Sequence, residues 1–193
     1  DVNESIRAAD TMMNNMGVDA QTAFNYIAAG AQNGLDRSHE LTDNLTEYSQ
    51  IWGQAGFSAK EMFSILQNGL DNGAYNLDKV NDFVKEFTIS LSDGRIEDSL
   101  DSFSDKTQNL FYQYKSGEVT ANEVFYSVIS DLENMTDKQE ALTLASNTWS
   151  ALGEDNAMDV IISLNDVCDA YDDVGDSMED LTKQKFSDLQ SAV

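Results

Sequence analysis

Few side chains in this 193-residue chain are of the types that carry chemistry, and none stands at a spacing that chemistry requires. His39 is the one histidine and Cys168 the one cysteine. A nucleophilic thiol needs a base beside it, and these two come from distant parts of the chain. Cys168 follows Val160, Ile161, Leu164 and Val167 at helical spacing, which predicts a free cysteine on or beside a core stripe. His39 follows Ser38, read as a helix N-cap, so an exposed first-turn position is expected for it. Acid-rich loops raise a calcium reading, which needs oxygen ligands at loop positions 1, 3, 5 and 12 and Gly at 6. Starting at Asp71 puts Asn76 at the glycine position, and placing Gly175 there puts Ala170 at the first ligand position. Both registers fail. No Gly-rich phosphate loop ends in Lys-Ser or Lys-Thr, and no nucleophile elbow occurs. Carboxylate pairs are plentiful among 35 acids, so pairing alone signals nothing. The expectation is a protein with no catalytic, cofactor-binding or metal-ligating residues, and not an enzyme.

The surface chemistry is dominated by charge. Eleven Lys and Arg face 35 Asp and Glu, for a net charge of −24. Groove binding to nucleic acid needs basic side chains that displace counterions from phosphates, so direct nucleic-acid binding is not expected. Anionic membrane surfaces are disfavoured for the same reason, and no apolar run approaches the ~20 residues of a span. A lone cysteine supports neither a disulfide framework nor a thiolate zinc site. The acidity is uneven: residues 1–96 carry 14 acids and 6 bases, and residues 97–193 carry 21 and 5. The chain opens on Asp1 and reads as an internal fragment of something longer.

The elements that would position any site are helices. Proline is absent, so Gly, Asn, Asp, Ser and Thr alone punctuate the chain. Between them apolar residues recur at intervals of three and four, as in Leu41, Leu45, Tyr48 and Trp52, or Val124, Val128, Leu132 and Met135. Ile96, Leu100, Phe103, Thr107, Leu110 and Tyr114 follow the same spacing and predict one helix over 95–115. Ser58-Ala-Lys-Glu61 is a capping box with Phe57 and Met62 at the staple positions; Thr120-Ala-Asn-Glu123 repeats it and Thr136-Asp-Lys-Gln139 is a weaker copy. Gly34, Gly73, Gly117 and Gly153 fall where helices should stop. The fold class is therefore all-α. About ten short helices are expected, joined by Gly, Asn and Asp turns and stacked as hairpins in a solenoid-like array or irregular bundle. Trp52, Phe57, Trp149 and most of the Phe111–Tyr114 run belong to the core by spacing.

An internal echo supports stacking. Gly30, Asn33, Gly34, Leu41, Asp43, Leu45, Glu47 and Tyr48 recur as Gly69, Asn72, Gly73, Val80, Asp82, Val84, Glu86 and Phe87, each displaced by 39 residues. Looser copies follow Gly117, with Val124 and Val128, and Gly153, with Val160 and Leu164. Helix-turn-helix units at such a period bury their apolar faces by stacking. We expect residues 1–193 to form a single helical module, with a subdivision near 92–95 between the repeat pair and the more acidic half.

The segment Gly56-Phe-Ser-Ala-Lys-Glu61-Met-Phe-Ser-Ile-Leu-Gln-Asn-Gly69-Leu-Asp-Asn-Gly73-Ala-Tyr-Asn-Leu-Asp78-Lys-Val-Asn-Asp-Phe-Val-Lys-Glu86-Phe closely resembles the tape measure proteins of long-tailed bacteriophages and prophages, notably those of Gram-positive hosts. Gly30-Ala-Gln-Asn-Gly-Leu-Asp36, Leu45-Thr-Glu-Tyr-Ser49, Gly153-Glu-Asp-Asn-Ala-Met-Asp-Val160 and Lys185-Phe-Ser-Asp-Leu189 extend the resemblance over roughly residues 15–193. It implies a virion structural protein, mostly helical, lodged in the tail-tube lumen and present in the host cytoplasm during assembly. It also implies roles in tail length, tail assembly and genome ejection, with tail-tube, tail-tip or assembly-chaperone proteins as partners. A pure ruler wants unbroken helix, ~290 Å for this length at ~1.5 Å per residue. The glycine stops and caps point to a folded module instead, about 16 Å in radius of gyration. The alternative reading is a helical-repeat interaction scaffold outside any virus.

Overall fold

The computed structural model describes residues 1–153, 157–167 and 169–191, with the side chains of 185–191 left out of account. Among the described residues there are eleven α-helices and three 3-10 turns, and no strand. The helices are α1 (Val2–Met16), α2 (Ala20–Gln32), α3 (Leu41–Gln54), α4 (Ala59–Asp71), α5 (Leu77–Asp93) and α6 (Arg95–Asp98). They continue as α7 (Asp105–Ser116), α8 (Ala121–Asn134), α9 (Lys138–Trp149), α10 (Ala157–Ser163) and α11 (Ser177–Ser191). The chain is an all-α bundle around one apolar core.

That core runs through every helix from α1 to α10. Trp52, Phe63, Phe83, Phe87, Phe125 and Trp149 are all at most 1% exposed. Edge-to-face contacts link Trp52 to Phe57, Phe57 to Phe125 and Phe125 to Phe87, with centroids 5.0–5.4 Å apart. This is the preferred geometry for rings carrying a quadrupole. Neighbouring hairpins stack: α2 packs on α4 and α3 on α5, while α8 and α9 close the far side of α5.

The two turns in the echo close in the same way. Leu35 N–H donates to Gly30 O at 2.8 Å, and Ala74 N–H donates to Gly69 O at 2.8 Å. The Asn33 amide donates to Ala29 O at 3.0 Å, and the Asn72 amide to Asn68 O at 2.9 Å. Gly34 and Gly73 take φ of 88° and 104°, the left-handed conformation that ends a helix in this motif. Gly30 and Gly69 serve contact rather than conformation. A Cβ on Gly30 would lie 2.8 Å from Phe63 Cε1 and 3.1 Å from Leu41 Cδ2; one on Gly69 would lie 2.5 Å from Val80 Cγ2. Leu41 and Val80 are themselves partners in the 39-residue offset.

Local chemistry corrects several sequence expectations. The helix expected over 95–115 is broken into α6, a 3-10 turn at Leu100–Ser102, and α7. Ser104 starts α7 instead, its Oγ accepting from Thr107 N–H at 3.3 Å, while its own N–H donates to Asp131 Oδ2 at 2.9 Å. The apolar spacing survives the break because Ile96, Leu100 and Phe103 still face the core. At Ser58 the capping box is complete: Oγ accepts from Glu61 N–H at 3.2 Å and Ser58 N–H donates to Glu61 Oε2 at 2.7 Å. Thr120 makes no such bond, because its hydroxyl turns to Asn122 Oδ1 at 2.6 Å. The cap of α9 is Asp137 rather than Thr136, a carboxylate accepting from the N–H groups of Gln139 and Glu140. Ser38 does not cap α3; Glu40 holds that position without a side-chain bond. Gly153 ends a 3-10 turn that follows α9, so it is not the left-handed stop expected there.

Candidate functional site

Among the described residues, those weighed for chemistry do not converge. His39 sits in the exposed turn before α3 with φ 60°, its Nδ1 3.9 Å from Asp36 Oδ2. It therefore precedes the helix rather than lying in its first turn. Cys168 lies outside the described residues. In the two acidic loops several of the side chains are already engaged. Asp71 accepts from the Gln67 amide at 3.0 Å, Asn76 caps α5 by accepting from Lys79 N–H at 3.0 Å, and Asp173 accepts from Gly175 N–H at 3.0 Å. Among the described residues no three His, Cys, Asp or Glu side chains group to hold a metal. Glu61 closes the α4 cap with one oxygen and accepts from Tyr126 Oη with the other at 3.0 Å. Burial first, and the Glu61 charge second, push the Tyr126 phenol far above its usual range.

The structure offers surfaces instead. One groove, about 280 Å³, opens where the two equivalent turns meet. Asn33, Leu35, Arg37, Leu70 and Asp71 are among its lining residues, with Tyr75 at its edge. Tyr75 is 94% exposed, the most exposed large apolar side chain described. A second surface is the outer side of α7, where only Thr107 and Phe111 are buried and Tyr112 is 59% exposed. Tyrosine adds large contact area at low entropy cost, which suits both places to protein contact. Sequence reasoning missed Tyr75. Its signal was available: an aromatic between Gly73 and Asn76 has no helical register to carry it inward.

A third feature ties the bundle together. The Arg95 guanidinium reaches Glu86 Oε1 at 2.8 Å, Asp93 Oδ2 at 2.8 Å and Ser150 Oγ at 2.5 Å. Ser150 holds φ 53°, a strained value for a residue with a side chain. Arg95 thus pins the end of α9 to the α5–α6 corner. This clamp is structural, since all of its groups are spent on one another.

The family model described as phage-related minor tail protein matches residues 1–193. The chain belongs to that family. No curated protein and no solved structure matches it. Membership in a phage minor tail family supports a structural role for the chain in a phage tail. No helix among the described residues of this minor tail protein is long and apolar enough to cross a membrane.

Proposed function

We propose that this minor tail protein is a folded helical module of a tape measure protein. In this reading the parent chain sets tail length and takes part in tail assembly and genome ejection. The module docks tail-tube, tail-tip or assembly-chaperone proteins rather than adding length as extended helix. The observation that carries the reading is the α4–α5 hairpin, whose sequence bears the resemblance to tape measure proteins. Phe63, Ile65, Leu66, Val80, Phe83 and Val84 on that hairpin are all fully buried. A segment that serves only as a spacer has no need of such a core. The charge of −24 fits a component that shares a conduit with DNA and must not adhere to it.

The test is cross-linking mass spectrometry of purified tails with a carboxylate-directed reagent, since the 35 acids give ample attachment points. Links from the Tyr75 turn or α7 to tube, tip or chaperone proteins are expected. Absence of the chain from purified tails and from their assembly intermediates would overturn the proposal.

A further inference from the structure

The pentapeptide Gln-Asn-Gly-Leu-Asp occurs at 32–36 and again at 67–71, and Asn72-Gly73 follows the second copy directly. Glycine has no Cβ, so in an Asn-Gly pair the backbone nitrogen meets least obstruction on its way to the side-chain amide carbon. Asn33, Asn68 and Asn72 share that chemistry, and Asn33 and Asn68 share their neighbours as well. The fold separates them. Asn68 lies inside α4, is half-buried, and its amide donates to Asp166 O at 2.6 Å. Gly69 after it is buried against Val80. Asn33 and Asn72 are instead the exposed C-caps of α2 and α4. The N–H groups of Gly34 and Gly73 lie beyond the helical ladder and reach Ala31 O and Leu70 O at 3.2 and 3.3 Å. An exposed turn at a helix end opens far more readily than the interior of a packed helix.

We propose that Asn33 and Asn72 are spontaneous modification sites of the folded chain, while Asn68 is shielded. When a turn opens, the glycine nitrogen gives up its proton to solvent base and attacks the Asn Cγ. The new C–N bond closes a succinimide ring, and the side-chain nitrogen takes a proton from solvent and leaves as ammonia. Water then opens the ring at either carbonyl, giving aspartate or isoaspartate. Either product puts a carboxylate where an amide donor was. The Asn33 amide donates to Ala29 O at 3.0 Å and the Asn72 amide to Asn68 O at 2.9 Å, so each helix end loses a bond. The new negative charge also sits at the unfavourable end of the helix dipole. Isoaspartate adds a methylene to the main chain and displaces the left-handed closure at Gly34 or Gly73. Asn33 lines the groove beside Tyr75, and Asn72 adjoins Asp71 in the same groove, so the modification alters that surface irreversibly. The inference stands independently of the tape measure reading.

Peptide mass spectrometry tests it on the 193-residue chain, incubated in mildly alkaline buffer with and without concentrated urea. Fragmentation resolves Asn68 from Asn72. In urea all three sites should convert at comparable rates, since only their local chemistry remains. In the folded chain Asn33 and Asn72 should each convert at least ~10-fold faster than Asn68, because each opens locally. Failure of either Asn33 or Asn72 to outpace Asn68 in the folded chain would overturn the inference. One common rate for all three would show that conversion proceeds only through global unfolding, and would overturn it equally.

Discussion

The indole N–H of Trp52 donates to Asn81 Oδ1 at 2.7 Å, in a site where both side chains are fully buried. Asn81 passes the link on: its amide donates to Asn44 Oδ1 at 2.6 Å and to Leu77 O at 3.0 Å. The polar chain joins α3 to α5 in the middle of an apolar core, so each member depends on the others. Asn81→Ala orphans the Trp52 donor and is expected to cost on the order of 3 kcal/mol. Trp52→Phe combined with Asn81→Leu should cost less than the two separate changes together. Urea denaturation of the parent and these four variants checks both statements; additive losses would show that the bond carries no coupling.

Gly53 is where α1 crosses α3. A Cβ there would lie 2.0 Å from the Asn15 carbonyl oxygen, which is backbone and has no rotamer to yield. Gly53→Ala should therefore destabilise by about 1–3 kcal/mol despite alanine's better helix propensity. Gly175→Ala is the control: its Cβ would meet only the Asp173 carboxylate oxygen, at 3.2 Å. A change within a few tenths of a kcal/mol is expected there. Thermal melts of the two variants decide, and a Gly53→Ala protein as stable as its parent would refute the close-crossing account.

The two capping sequences that look alike should behave differently. Ser58→Ala removes a complete capping box and is expected to cost about 1 kcal/mol. Thr120→Ala removes a hydroxyl that makes no cap bond, and should cost less than half as much. Chemical denaturation of the pair gives the ranking.

Alkali should unfold the protein through its phenols. Burial first, then the charges of Asp82, Glu47 and Asp78, push the Tyr48 phenol up from its ordinary value of 10.0 to about 12. The folded state holds that proton more tightly than the unfolded state. Its contribution to stability is thus fully present below pH 10 and is lost as pH rises through 12. Tyr126 shifts in the same direction. The last part of the tyrosinate absorbance, from the buried phenols, should appear together with loss of helical circular dichroism across this window; complete titration of all seven tyrosines near pH 10 with the helix intact would contradict it.

How far the sequence could be read follows from which interactions are local. The 3.6-residue period, the glycine stops at Gly34, Gly73 and Gly117, and the Ser58 cap are set within a turn or two of chain, and the structure holds them all. The break at Ser104 was hidden because the apolar period runs through it, and Asp131, 27 residues on, helps fix the new helix start. Thr120 and Thr136 failed as caps because a nearer acceptor or a stronger carboxylate cap competes for each role. The surface features needed three dimensions. Tyr75 and Arg37 line one groove only because the two turns lie side by side, and Arg95 reaches Ser150 across 55 residues.

The most direct measurement of the central claim is tail length by electron microscopy after an in-frame deletion of residues 57–91 from the phage gene. The deletion removes α4 and α5, and with them the aromatic centre of the core. If the chain acts as a folded docking module, assembled tails are lost or keep their length. Intact, infectious tails shortened by about 50 Å, the helical length of the 35 deleted residues at ~1.5 Å each, would contradict it.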